Sequence, residues 1–236
     1  MRSNTYTLVF TSIITIILGF FLSLAASSLK DIQDLNVEND MKKNILLSLG
    51  FEQNEDSPWT SDEIQKLFDK NIEGIVLNAS GQKTSKDPKD IDTVKDLEFL
   101  PIYIKKENGT IGGYAIPIAG KGLWSTLYGY FAVEPDGRTV KGITFYKHGE
   151  TPGLGGEIEK DWFQKNFIGK QFVNEKNELL GIQIIKGKVQ SDDKEAYHKV
   201  DGISGATMTG KGLEYFLKDD LSKYEPFFKQ IRGEHG

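Results

Sequence analysis

Thr207 is the residue best placed to do chemistry. It closes the run Asp201-Gly202-Ile203-Ser204-Gly205-Ala206-Thr207, which follows strand-like residues and opens onto a helical pattern. A hydroxyl at the start of a helix sits among unpaired main-chain N–H groups and the positive end of the helix dipole, which suits a phosphate. Gly205 and Ala206 leave room for a bulky group beside the chain, and N–H groups near Met208 and Thr209 are expected to face a phosphate oxygen. A bland alternative covers the same residues. Asp-Gly is turn-prone, Ser204 is a suitable N-cap, and a plain turn feeding a helix needs no ligand.

Two other segments carry ligand-like composition. His148-Gly149-Glu150-Thr151-Pro152-Gly153-Leu154-Gly155-Gly156-Glu157 places four glycines and a proline between a strand pattern and a helix pattern. Such a loop lets a ligand lie close to backbone, although a simple strand–helix connection is the competing reading. It does not match Gly-x-Gly-x-x-Gly, and no Walker-type phosphate loop occurs in the chain. The third segment is Lys121-Gly122-Leu123-Trp124-Ser125-Thr126-Leu127-Tyr128-Gly129-Tyr130. Strand aromatics usually belong to a core. Trp and Leu beside glycine also make suitable walls for a large flat ring.

Composition removes several chemistries. The 236 residues contain no cysteine, so disulfides, thiolate metal sites, iron–sulfur ligation and cysteine catalysis are excluded. Three histidines, His148, His198 and His235, are too far apart in sequence to suggest a metal site. Net charge is −5 with no Lys/Arg run, which argues against nucleic acid as a partner. Hydrophobic residues at 38% and charged residues at 27% describe a globular chain.

These loops need elements to hold them. Ser3 to Leu29 holds no charged residue, and its apolar stretch is long enough to cross roughly 30 Å of hydrocarbon as a helix. A signal peptide is the competitor, with Ser23-Leu24-Ala25 as a weak cleavage site. The stretch exceeds an h-region of about 7–15 residues, which favours a retained anchor. Arg2 before the helix and the acidic residues after Lys30 favour an inside N-terminus.

Apolar positions from Leu29 to Leu49 predict an amphipathic helix stopped by Gly50. Thr60-Ser61-Asp62-Glu63 is a capping box for a helix to about Asn71, followed by a strand at Ile75-Val76-Leu77. Ser80 to Asp92 reads as a surface loop. Hairpins are predicted around Asn108-Gly109 and Pro135-Asp136-Gly137, and a further strand over Leu179 to Ile185. Short helices are expected over Asp161–Phe167, ended by Gly169, and over Thr207–Leu221, with further turns over Glu225–Ile231. The fold class is α+β: one N-terminal transmembrane helix, then a domain built on an antiparallel sheet with flanking helices. The expected divisions are an anchor at 1–29, a membrane-proximal helical segment at 30–95 and the ligand domain at 96–236.

Gly122-Leu123-Trp124-Ser125, Glu150 to Glu157 and Asp201-x-x-Ser204-Gly205-Ala206-Thr207 occur in that order. Together they resemble the C subunit of the sodium-translocating NADH:quinone oxidoreductase, most strongly from about 120 to 221. The resemblance implies FMN joined by a phosphoester to Thr207. A separate flavin transferase would draw it from FAD, reading Asp201, Ser204, Gly205, Ala206 and Thr207 and releasing AMP. It implies one-electron relay between neighbouring components of a bacterial membrane complex, with the flavin domain outside the cytoplasm and the NADH and quinone sites elsewhere. Trp124 and Leu154 are expected to border the ring. Polar contacts are expected from Ser125, Thr151, Glu150, Met208, Thr209 and the Gly153–Gly156 backbone, with Gly155 close to the ligand. Glu150 either orients its loop or faces solvent, and Thr209 either reaches the phosphate or does not. Two rivals stay open. One is the G subunit of the ion-translocating ferredoxin:NAD oxidoreductase, which shares the anchor, the glycine loop and the threonine motif. The other is an anchored binding or assembly protein without cofactor.

Overall fold

The computed structural model describes residues 3–54, 56–91, 96, 98–107 and 109–233. Arg2, Asp92, Asn108 and His235, each used above, lie outside the described residues. The chain forms two units, residues 1–40 and 41–236. The first is the greater part of helix α1 (Asn4–Ser48), long and apolar enough to cross a membrane. Its Leu8, Ile16, Phe20 and Leu22 side chains are exposed along the helix. A helix can hold such residues without water because its backbone is internally bonded.

The second unit is built on a five-stranded antiparallel sheet in the order β1-β2-β3-β4-β5. The strands are β1 (Ile72–Leu77), β2 (Leu100–Glu107), β3 (Thr110–Lys121), β4 (Thr126–Val133) and β5 (Val140–Lys147). Their uninterrupted up-and-down order follows from the turns. Gly109 adopts φ +85 between β2 and β3, and Gly137 adopts φ +68 between β4 and β5. The Asp136 carboxylate accepts from Arg138 N–H, Thr139 N–H and the Thr139 hydroxyl, which clamps the second turn. Helix α2 (Ser61–Asn71) starts at the predicted capping box, with Thr60 and Glu63 each satisfying the other's backbone N–H. It leads into β1, so residues before 96 complete one edge of the sheet.

Alternation along the strands gives the sheet two apolar faces. Ile116, Ile118, Phe131 and Phe145 join a core with Phe163, Phe167 and Phe172 and with helix α4 (Thr207–Ile231). Their neighbours Ala115, Tyr130 and Ala132 face the opposite way, onto Ile45 near the end of α1 and Leu49 just beyond it. Leu213, Phe216, Leu217, Leu221, Tyr224 and Phe228 form the buried stripe of α4 at helical spacing. Each fully buried side chain of this size contributes about 1.5–3 kcal/mol relative to exposure.

One expectation is corrected. The strand over Leu179–Ile185 shrinks to β6 (Gln183–Ile184), which pairs in parallel with β7 (Lys199–Val200). Gly181 at φ +83 turns the chain there, and the Leu180 and Gly181 N–H groups both donate to the Phe172 carbonyl. The further turns expected over Glu225–Ile231 are present, and α4 runs unbroken through Pro226 to reach Ile231. Phe227, Phe228 and Ile231 pack against the core and hold the helix beyond a residue that cannot donate. The short helix α3 (Asp161–Gln164) runs into a 3-10 turn over Lys165–Phe167, and Gly169 follows at φ +78.

Candidate functional site

Helix α4 begins at Thr207 with Ala206 as its N-cap, and no side chain caps it. The cap expected of Ser204 is therefore absent, since that residue lies too early in the chain, exposed in the preceding turn. The first intrahelical bond runs from Gly210 N–H to the Ala206 carbonyl. Helix geometry then leaves the N–H groups of Thr207, Met208 and Thr209 directed along the axis without a helical acceptor. Thr207 and Met208 are exposed, whereas Ala206 and Thr209 are buried. The turn reaches this position because Gly205 takes φ +75, a conformation that L side chains disfavour.

Upstream, the turn is tied to the loop that follows β6. Val189 N–H donates to Asp201 Oδ1 over 2.8 Å, and Gly202 N–H donates to the Gly187 carbonyl. Asp201 therefore fixes its neighbouring loop in the folded chain. A Cβ at Gly202 would stand 2.0 Å from the Ile185 oxygen, so this crossing requires glycine.

Three segments converge on the Glu150 carboxylate. Its Oε1 accepts from Trp124 N–H at 2.8 Å and Ser125 N–H at 3.1 Å, and its Oε2 accepts from the Thr209 hydroxyl at 2.7 Å. Gly122 and Gly155 make the fit possible: a Cβ at Gly122 would come within 2.7 Å of Oε1, and one at Gly155 within 2.6 Å of both Oε2 and Thr209 Oγ1. Burial pushes the Glu150 carboxyl up. Hydrogen bonds from Thr209 and from the Trp124, Ser125 and Leu123 backbone together outweigh it and hold the group below its ordinary range.

Glu150 and Thr209 thus lie behind the site. Glu150 does not face solvent, being 6% exposed, and the Thr209 hydroxyl is committed to it. Ser125 has a similar supporting part, its Oγ accepting Gly149 N–H at 2.6 Å. The Gly153–Gly156 backbone is only partly free, because Leu154 and Gly156 N–H groups both turn back to the Thr151 carbonyl. Gly153 sits at φ +74 and Thr151 is exposed.

The outward side is apolar. Trp124 is 68%, Met208 61% and Leu154 42% exposed, unusual for residues of this size. Leu154 touches the Thr207 turn at Gly205. A cleft of about 840 Å³ also opens on the turn, edged by Trp162, Asn166, Lys186, Lys188 and Lys211 together with Thr207. No motif in the sequence singles out these rim residues. Among the described residues no cluster of acids and histidines is suited to a metal ion.

Residues 122–222 match the family model of the FMN-binding domain. Across an alignment of 257 positions the chain is 34% identical to the C subunit of the Na(+)-translocating NADH-quinone reductase of Pseudomonas aeruginosa, covering 98% of this chain and 97% of that one. This chain belongs to that C subunit family. A second member, from Haemophilus ducreyi, is 35% identical over 96% of this chain and 95% of its own length. The crystal structure of the C subunit from Parabacteroides distasonis superposes with a TM-score of 0.73 at 33% identity, over 85% of this chain and 96% of that one. NqrC of Shewanella oneidensis gives 0.69 at 27% identity, over 83% and 97%. The antiparallel sheet with flanking helices is thus the fold of this family.

Proposed function

We propose that this chain is the electron-carrying flavoprotein subunit of a sodium-translocating NADH-quinone reductase, with FMN joined by a phosphoester to Thr207. The observation that carries the attachment point is the exposed Thr207 hydroxyl at the uncapped start of α4. FMN fits the residues present. Its phosphate matches an anion-binding helix start, and its ring matches the exposed Trp124, Leu154 and Met208 side chains. When bound, FMN supplies one-electron carriage.

The chain's own residues do the rest. Thr207 offers the ester oxygen, the free N–H groups of the first helical turn stabilise the phosphodiester anion, and Leu154 closes on the Gly205 turn. Thr151 and the free part of the Gly153–Gly155 backbone offer polar contacts. Glu150, Ser125 and Thr209 brace these loops from behind. A flavin transferase acts at Asp201, Ser204, Gly205, Ala206 and Thr207 during maturation. Since Asp201 is engaged with Val189, the transferase meets a preformed turn if the chain has already folded.

The apolar part of α1 anchors the protein in the cytoplasmic membrane, with the N-terminus inside and the flavin domain outside. The other subunits supply the NADH and quinone sites. The G subunit of the ferredoxin-linked enzyme is not favoured, because the relatives that match over nearly the full length bear the quinone reductase name. The test is an intact mass of the chain purified from cells that possess the transferase. An increase of one FMN less one water supports the proposal. An unmodified, colourless chain opposes it.

A further inference from the structure

We propose that Glu150 is a positioning residue for the flavin: its buried carboxylate holds the Thr207 turn against the Trp124 and Leu154 loops, and its negative charge lowers the reduction potential of the group held there. The inference rests on attachment at Thr207 as proposed above.

Two observations carry it. First, the carboxylate joins three segments that are distant in sequence. It binds the backbone at Trp124 and Ser125, touches the loop at Gly155, and receives the hydroxyl of Thr209, two residues beyond Thr207. These are the segments that present Trp124, Leu154 and Thr207 to solvent, and Glu150 is their common fastening. Second, the charge is not neutralised. Among the described residues no lysine, arginine or histidine forms an ion pair with Glu150, and its partners are neutral donors. A purely structural fastening does not need a charge, and burying one costs free energy. A carboxylate held only by dipoles still projects a negative field.

The carboxylate binds the backbone N–H of Trp124, so a ring bordered by the Trp124 side chain would lie within roughly 10 Å of the charge. At this distance in a partly buried setting, a unit charge alters the equilibrium for adding another negative charge several-fold. A negative charge arriving on a ring beside Trp124 is therefore disfavoured by Glu150.

The test uses the full chain in detergent, purified from cells with the transferase, in four forms: parent, Glu150→Gln, Glu150→Asp and Thr209→Val. Occupancy is read by intact mass and the midpoint potential by spectroelectrochemical titration. Expected for Glu150→Gln are occupancy lowered several-fold and, in the loaded fraction, a potential shifted positive enough to raise the reduced-to-oxidised ratio several-fold. Glu150→Asp keeps the charge and stays near the parent potential. Thr209→Val breaks one fastening, so occupancy falls, and it leaves the charge in place without a positive shift. Parent occupancy and potential in Glu150→Gln overturn the inference, as does an equal positive shift in Thr209→Val. If Glu150→Gln carries no flavin, the decision passes to Thr209→Val, where parent occupancy overturns the positioning role and reduced occupancy supports it. A parent chain without the mass increment sinks the attachment at Thr207 instead, which separates the two failures.

Discussion

Leu154 stands against Gly205: a Cβ built on Gly205 would lie 2.8 Å from Leu154 Cδ2. The same glycine sits at φ +75, so backbone strain and side-chain crowding act together on any replacement. Gly205→Ala is expected to destabilise by about 1–2 kcal/mol and to lower the unfolding temperature by roughly 2–8 °C. Flavin occupancy should fall with it, because Thr207 moves with the turn. Unchanged melting and full occupancy would contradict the close apposition.

Trp124 offers the opposite behaviour. Its side chain is 68% exposed, so Trp124→Ala should leave stability within about 0.5 kcal/mol of the parent. What should change is the flavin itself, through altered visible absorption and fluorescence once an aromatic neighbour is gone. A large loss of stability with an unchanged spectrum would assign Trp124 to the core.

Gly212→Ala sets two effects against each other. Alanine is the better helix former by about 1 kcal/mol. At this position, however, its Cβ would lie 2.3 Å from the Lys121 carbonyl oxygen and 3.2 Å from Gly122 Cα. Overpacking against backbone costs about 1–3 kcal/mol, so the clash wins. A lower urea midpoint is expected, because α4 must lift from the loop that leads to Trp124.

The pH dependence of stability has a definite sign at Glu150. Burial acting alone would raise its pKa, but the hydrogen bonds outweigh burial and the folded value lies below the ordinary 4.5. Its contribution is therefore present above about pH 4.5 and is lost as pH falls through the folded value. Glu150→Gln should be less stable than the parent at neutral pH, with the gap narrowing as pH falls below about 4.5. Urea midpoints across that range decide it. A gap that widens on acidification would reverse the assigned direction.

Local signals were legible wherever one short segment settles its own conformation. The Thr60–Glu63 box specifies a helix start through its own side chains, and the Pro135-Asp136-Gly137 turn supplies both its clamp and its positive φ. The stripe from Leu213 to Phe228 was legible to Leu221 and again from Glu225, while its continuity through Tyr224 and Pro226 rests on the packing of Tyr224, Phe227 and Ile231. The truncation of the strand near Gly181 depends on the Phe172 carbonyl, a non-local partner. The same limit governs the site. Motif spacing marks Thr207, Trp124 and Leu154, but the Glu150–Thr209 bond joins residues 59 apart, and no periodicity announces it. Nor does any pattern reveal that Trp162, Lys186 and Lys188 edge the cleft beside Thr207.

The most direct measurement is peptide mapping by tandem mass spectrometry of the native chain, set beside Thr207→Ala made in the same cells. The expected result is an FMN phosphoester on Thr207 in the native protein, and no covalent flavin fluorescence in the alanine variant. A flavin mapped to another hydroxyl, or one that remains bound covalently in Thr207→Ala, would contradict it.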